Sequence, residues 1–530
     1  MLSRPIQQLL ERYKEVAQKV TSQQAVATIH VDEVASRVAL FYEKTRNLVD
    51  YQEEHLIRKT FILRTIRRRL FVSQDTDIAE SIIKELIRAG HLPNDAVPET
   101  KIAEAQRIID AHHEFSNQLK ALHLEKQKQN EAAEWLLHIA ANAIEETLFP
   151  PTRDDLLLDL MLRSLNNHLS ISGERPPEDG NTVLPLFVGV QKGLLRADQD
   201  QLQYRLMKLL YPRWNVLGED AGGADFIQNV PDIIRRLGLD LKNPLIPAFL
   251  KLCNHYNTVY FLIGDIIDEA GNAETLERIL SDEDELERRA KTAYDRRFKR
   301  ERGRLRRMAF FSVISFFLSK IAVALAIEIP IERHITDTFS LSITVFSILF
   351  PPLLMLLITA LVRMPSARNF DLLLDEIKKV TYENMPKEYA VALPKKKSLL
   401  VRSLVGVFYF ATFVVSFYLL TDILLFFDFG IANIVIFTFF TSLVAATGVK
   451  IRNRSREISL EKERATVGSF LLDLFVMPFV TVGQWVIAGL LKFNVIVLAI
   501  NLFIELPFQV FIEFLENLRG FIALKKEEIS

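Results

Sequence analysis

The spacing of apolar positions changes character about three-fifths of the way along the chain. Up to residue 307, apolar side chains recur every three or four positions among dense charges, the pattern of helices with one buried face. Val34, Val38, Phe41, Leu48, Leu56, Phe61 and Leu70 trace such a stripe through Val31–Leu70. A further helix is predicted over Asp77–Ala89, stopped by Gly90 with Pro93 beyond it. Pro150-Pro151 interrupts the pattern, and Thr152 with Asp155 resembles a capping box for the next helix. Loops are expected over Ser170–Asn181 and Tyr211–Ala224, where Pro and Gly cluster. No stretch alternates with period two, so little or no sheet is expected.

Beyond residue 307 the periodicity gives way to long apolar runs. Six are long enough to cross a hydrocarbon core of about 30 Å, which takes about 20 helical residues. They are 308–327, 339–362, 404–427, 431–449, 467–491 and 494–515. The last two carry Asp473, Pro478, Glu505 and Pro507, so five crossings plus an interfacial segment is the alternative. The fold class is therefore all-α. An N-terminal helical domain (1–280) leads through a basic juxtamembrane helix (281–307) into a transmembrane bundle (308–515) and a short tail (516–530). Between the second and third spans, residues 367–382 place Phe370, Leu373, Leu374, Ile377 and Val380 on one face. Such a helix either docks on the soluble domain or lies among lipid headgroups.

Charge orients the bundle. The flanks and connections expected on one side hold twenty-nine Lys and Arg, and those on the other side hold two. Positive flanks stay cytoplasmic, which places both termini in the cytoplasm and the protein in the plasma or inner membrane. Arg300, Arg302, Arg304, Arg306 and Arg307 stand just ahead of the first span. There each is expected to gain about 1 kcal/mol from anionic headgroups; the plainer alternative is a solvated helix that spaces the two halves.

The whole chain of 530 residues has a net charge of only −1, so no overall field draws it to nucleic acid. The Arg64–Arg69 cluster lacks interleaved stacking aromatics. Cys253 is the only cysteine, which excludes an intrachain disulfide.

Chemistry is sought where charge enters the membrane, since an ionised side chain there costs about 2.5–3.5 kcal/mol. Lys320 and Glu505 sit near mid-depth of the first and last expected spans and are expected to pair. Asp473 is a secondary acid closer to the interface. Pro351, Pro352, Pro478 and Pro507 are candidate kinks of the kind that open sites in transporters. In the soluble half His112, His113, His123 and His138 share a helical region with Glu134, but metal binding would require two or three of them to converge. No phosphate loop, GxGxxG or HExxH is present, so neither a cofactor nor catalysis is expected. The expected function is a membrane-anchored scaffold or assembly protein whose helical domain binds a protein partner or a second copy of itself. The alternative is a transporter or channel built on the Lys320–Glu505 pair.

Overall fold

The computed structural model describes residues 1–492 except 23–26, 32–53, 73–77, 123–124, 173–181, 212–220, 335–338, 363, 367, 384–387, 393–397, 457–458 and 462–466. The described chain is helical apart from one two-stranded sheet and two isolated bridges. It divides into two compact units, each built from two stretches of sequence.

The first unit comprises Met1–Glu287 and Glu376–Pro394, and so takes in a segment that a linear division leaves with the membrane half. Its helices are α1 (Arg4–Ser22), α2 (Glu54–Val72), α3 (Ile78–Arg88), α4 (Thr100–Ala121), α5 (Lys126–Leu148) and α6 (Thr152–Asn166). They continue as α7 (Val183–Leu195), α8 (Gln199–Leu210), α9 (Ala221–Asp240), α10 (Ile246–Ala270) and α11 (Ala273–Ser281). The three-and-four spacing explains their burial. In α3, Ile78, Ala79, Ile82, Ile83, Leu86 and Ile87 all face inward. The helix closes at Gly90, whose φ of 75° is a left-handed value that glycine adopts without strain. These residues join Ile62, Ile66, Ile109 and Ile144 in one core. A second core gathers Phe115, Trp135, Leu206, Phe226 and Val230.

Several local expectations are revised. Thr152 occupies the first turn of α6 rather than its cap; Pro151 is the cap residue and no side chain bonds there. Ala221–Ala224 opens α9 instead of ending a loop. Val31 lies in an extended segment paired with Asn94, and residues 32–53 of the expected stripe fall outside the described residues. Leu169–Ser172 is a strand, β1, which pairs in parallel with β2 (Tyr389–Ala392), Leu169 opposite Tyr389 and Ser172 opposite Ala392. The N-terminus is tied to the same returning segment, as Ser3 Oγ donates to the Val380 carbonyl at 2.6 Å.

The second unit comprises Arg288–Asp375 and the chain from Lys395 onward. Four of its helical stretches are long and apolar enough to cross a membrane, which marks the chain as a membrane protein. The first is a continuous 52-residue rod, Glu283–His334. It consists of α12 (Glu283–Val323), a π turn (Ala324–Glu328) and α13 (Ile329–His334). The others are α14 (Leu341–Leu361), α16 (Leu399–Phe426) and α17 (Ile431–Arg456). The intervening α15 (Arg368–Thr381) is divided between the two units, and its Phe370, Leu373, Leu374, Ile377 and Val380 are buried within the protein. The fifth expected span is occupied by α18 (Val467–Lys492), whose apolar part is Asp473–Gly489; residues 494–515 lie outside the described residues.

Within this unit α17 is half buried, whereas α16 turns almost all of its surface outward, as a lipid-facing helix must. Helices α17 and α18 touch closely at Gly483, where an added Cβ would clash with the Ser442 carbonyl oxygen. Small residues at such crossings let membrane helices approach.

Candidate functional site

The rod that carries Lys320 does not stop at Ile327, where its apolar run ends. Pro330 lacks the N–H that would reach back to Ala326, and its ring crowds that carbonyl. The helix widens into a π turn just ahead of it, with the Ile329 N–H donating to the Ala324 carbonyl five residues back. In an unbroken α-helix Glu328 and Glu332 would be rotated by ~80° and ~120° from Lys320, at ~100° per residue. A π turn inserts one extra residue and brings both to within ~20° of it. The bulge therefore aligns three ionisable side chains on one face.

All three are buried. Lys320 and Glu328 are 0% exposed and Glu332 is 1% exposed. Lys320 Nζ donates to both carboxylate oxygens of Glu328, at 2.8 and 2.9 Å. Ser347 Oγ of α14 donates to Glu328 Oε1 at 3.1 Å. From α17, Phe440 presents its ring 5.4 Å from the ammonium, a cation–π contact. Glu332 sits beside Asn433 of α17 and Thr344 of α14, both buried. The Asn433 amide and the Thr344 hydroxyl are the polar groups that face it, and neither meets its oxygens with full hydrogen-bond geometry. The Thr344 hydroxyl is committed to the Ser340 carbonyl at 2.9 Å. Two carboxylates thus face one ammonium.

Helical rise sets the depth of this centre along the apolar rod. At ~1.5 Å per residue Lys320 lies ~20 Å beyond Arg307 and Glu332 ~37 Å beyond it. Against a core of about 30 Å that begins at Arg307, Lys320 falls past the midplane and the two carboxylates fall at the remote edge.

Lys320 thus has a partner of its own, Glu328, while Glu505, its expected partner, lies outside the described residues. Asp473 is exposed and pairs with Arg452 at 3.1 Å, away from the buried centre. Pro351 and Pro352 are buried inside an unbroken α14, and Pro478 is buried inside α18. By position, Pro351 and Pro352 withhold donors from the carbonyls of Ser347 and Ile348, one turn from the centre. Pro507 lies outside the described residues. Arg300, Arg302, Arg306 and Arg307 are exposed on α12, and Arg304 is half-buried.

Among the described residues the histidines of the first unit do not converge. His112 is buried and, because burial penalises its charged form, its pKa falls to about 4. His113 lies 3.4 Å from Asn117, His138 contacts Asp200 at 2.8 Å, and His123 is outside the described residues. Among the described residues no cluster of His, Cys, Asp and Glu could hold a metal ion.

A second buried polar cluster lies where the returning segment enters the first unit. Tyr389 of β2 donates its hydroxyl to Glu376 Oε1 at 2.8 Å. Tyr260 is fully buried near Ser164, Cys253 and Glu376, and burial drives its hydroxyl well above the ordinary tyrosine range. Burial also pushes the Cys253 thiol up to about 12, which leaves it unreactive. With every group neutral or paired, this cluster has the chemistry of a joint rather than a reaction centre.

Glu328, Pro330 and Glu332 lie beyond Ile327, where the apolar run ends, and so fall outside the expected span. The available signal was a proline flanked by acids eight and twelve residues after an intramembrane lysine. Comparison with protein-family models, curated proteins and solved structures returned no match to this chain.

Proposed function

We propose that this chain is a multi-pass transport protein of the cell membrane that moves protons or a small cation by way of the Lys320–Glu328–Glu332 centre. The observation that carries this reading is an ion pair at 0% exposure, set at a π turn beside a second carboxylate. Ionisable groups inside a span are costly and mark ion pathways and proton relays, and π bulges cluster at functional sites. A purely structural pair would require neither the second acid nor the bulge that aligns it.

The proposed topology has six spans with both termini cytoplasmic, and rests on the Lys and Arg asymmetry. The composition of the first unit supports part of it. Residues 1–287 and 376–394 form one compact body, which supports the reading that both stretches lie on one side with two crossings between them. Exposed Arg300, Arg302, Arg306 and Arg307 are proposed to meet anionic headgroups there, with Arg304 contributing its charge from the same turns.

The test is reconstitution of the full chain into vesicles carrying a pH-sensitive dye. The wild type is expected to dissipate an imposed proton or alkali-cation gradient faster than empty vesicles, and Lys320→Met and Glu328→Gln to abolish the difference. Identical decay in wild-type and empty vesicles, under every ion gradient tried, refutes transport.

The second reading, a membrane-anchored scaffold, is favoured by a large two-core helical unit in which no metal-type cluster occurs among the described residues. It calls for crosslinking of the intact protein in native membranes. Absence of any recurrent crosslinked partner, or of a self-crosslinked dimer, counts against it.

A further inference from the structure

Three donors of the centre are committed to groups other than Glu332. Lys320 bonds to both oxygens of Glu328, Ser347 bonds to Glu328, and Thr344 bonds to Ser340. Glu332 is 1% exposed, and among the described residues neither of its oxygens meets a donor with full hydrogen-bond geometry. The carbonyl oxygen of the neighbouring Asn433, itself 2% exposed, also lacks a donor. With the Lys320 ammonium bonded to Glu328 and shared between two carboxylates, the centre carries one negative charge in excess, at a Glu332 that is 1% exposed.

We propose that Glu332 is the proton-carrying residue of this centre, holding a proton while buried and exchanging it with water beyond the remote end of the rod. The proposal deepens the transport reading and rests on it, because it names the ion and the group that binds it. A single proton cancels the surplus charge and turns an acceptor-only carboxylate into a donor, which the unpartnered Asn433 carbonyl oxygen beside it can accept. Metal cations such as Ca²⁺ take six or more oxygens. The oxygens of Glu332, Asn433 and Thr344 fall short of that number. Only an O–H bond forms and breaks, with water as donor and acceptor.

The surroundings keep the chemistry on this one group. From its own rod the charged neighbours of Glu332 are Lys320 and Glu328, already joined to each other. From α14 it meets Thr344 and from α17 Asn433, neither of which titrates.

Infrared difference spectroscopy on the full chain in lipid nanodiscs tests the assignment. The wild type is expected to show the carbonyl stretch of a protonated carboxylic acid at neutral pH, vanishing reversibly at alkaline pH and unmoved when sodium replaces potassium. Glu332→Gln, a neutral mimic of the protonated side chain, is expected to lose that band and stay monodisperse. Asp473→Asn, at an exposed acid, is expected to keep it. No such band in the wild type at neutral pH overturns the proposal, as does a band that persists at every pH. A band displaced by sodium assigns the position to a metal cation and overturns it too. If the band titrates as expected while vesicles show no flux, the transport reading falls and the proton assignment stands.

Discussion

Replacing Lys320 by methionine keeps most of the side-chain volume and removes the ammonium. Glu328, at 0% exposure, is then left with the Ser347 hydroxyl at 3.1 Å as its remaining donor. Removing one partner of a buried pair costs about 3–5 kcal/mol, because the other charge stays buried without compensation. At about 1.4 kcal/mol per tenfold, the unfolding constant rises by roughly two to four powers of ten. Replacing both partners by apolar residues of similar volume is instead often neutral or stabilising. Lys320→Met and Glu328→Met should therefore each destabilise strongly, and the double variant should recover most of the loss. Equilibrium unfolding of the full-length protein in mixed micelles, run as a double-mutant cycle, reads the coupling directly. The reasoning is refuted if Lys320→Met costs under about 1 kcal/mol, the scale of a solvent-exposed pair. It is refuted equally if the double variant loses the sum of the two single losses.

Three further outcomes are expected. Gly483→Ala should destabilise the α17–α18 crossing by about 1–3 kcal/mol through overpacking. Gly489→Ala, where an added Cβ meets nothing within 4 Å, is its control in the same unfolding assay. Tyr389→Phe leaves the buried Glu376 carboxylate without its 2.8 Å donor and should cost about 1.5–3 kcal/mol. Hydrogen exchange at Leu169–Ser172 and Tyr389–Ala392 should then accelerate. The unfolded chain protonates His112 near pH 6.5, but the folded chain does so only near 4. Stability of the first unit should therefore fall as pH drops through that window, by up to about 3 kcal/mol. His112→Gln should flatten that limb of a pH-dependent melt.

Hydropathy and helical periodicity carried much of the architecture. The four apolar helices and the inward face of α15 follow from counting residues, since lipid or a core must cover such surfaces. Lys320 was legible for the same reason, because an isolated cation in an apolar run requires a partner. The identity of that partner was not. Depth matching pointed to Glu505, which lies outside the described residues, whereas Glu328 is reached through a local change of helical pitch. Pitch depends on how Pro330 is accommodated, and no periodicity count registers it. The strands LSIS and YAVA are four residues each, too short to declare a period, and each lacks a partner nearby in sequence.

The tie between Ser3 and Val380 spans 377 residues, and a ribosome delivers its two ends at very different times. On the topology proposed above, the N-terminal helices emerge first but wait, one strand of their sheet unmatched, until two crossings have been threaded and β2 appears. Closure of this body is thereby made conditional on correct insertion. In that topology a molecule whose first hairpin failed to return would leave β2 across the bilayer from β1, and the first unit would lack its closing strand. Completion of the fold becomes a built-in checkpoint on topology.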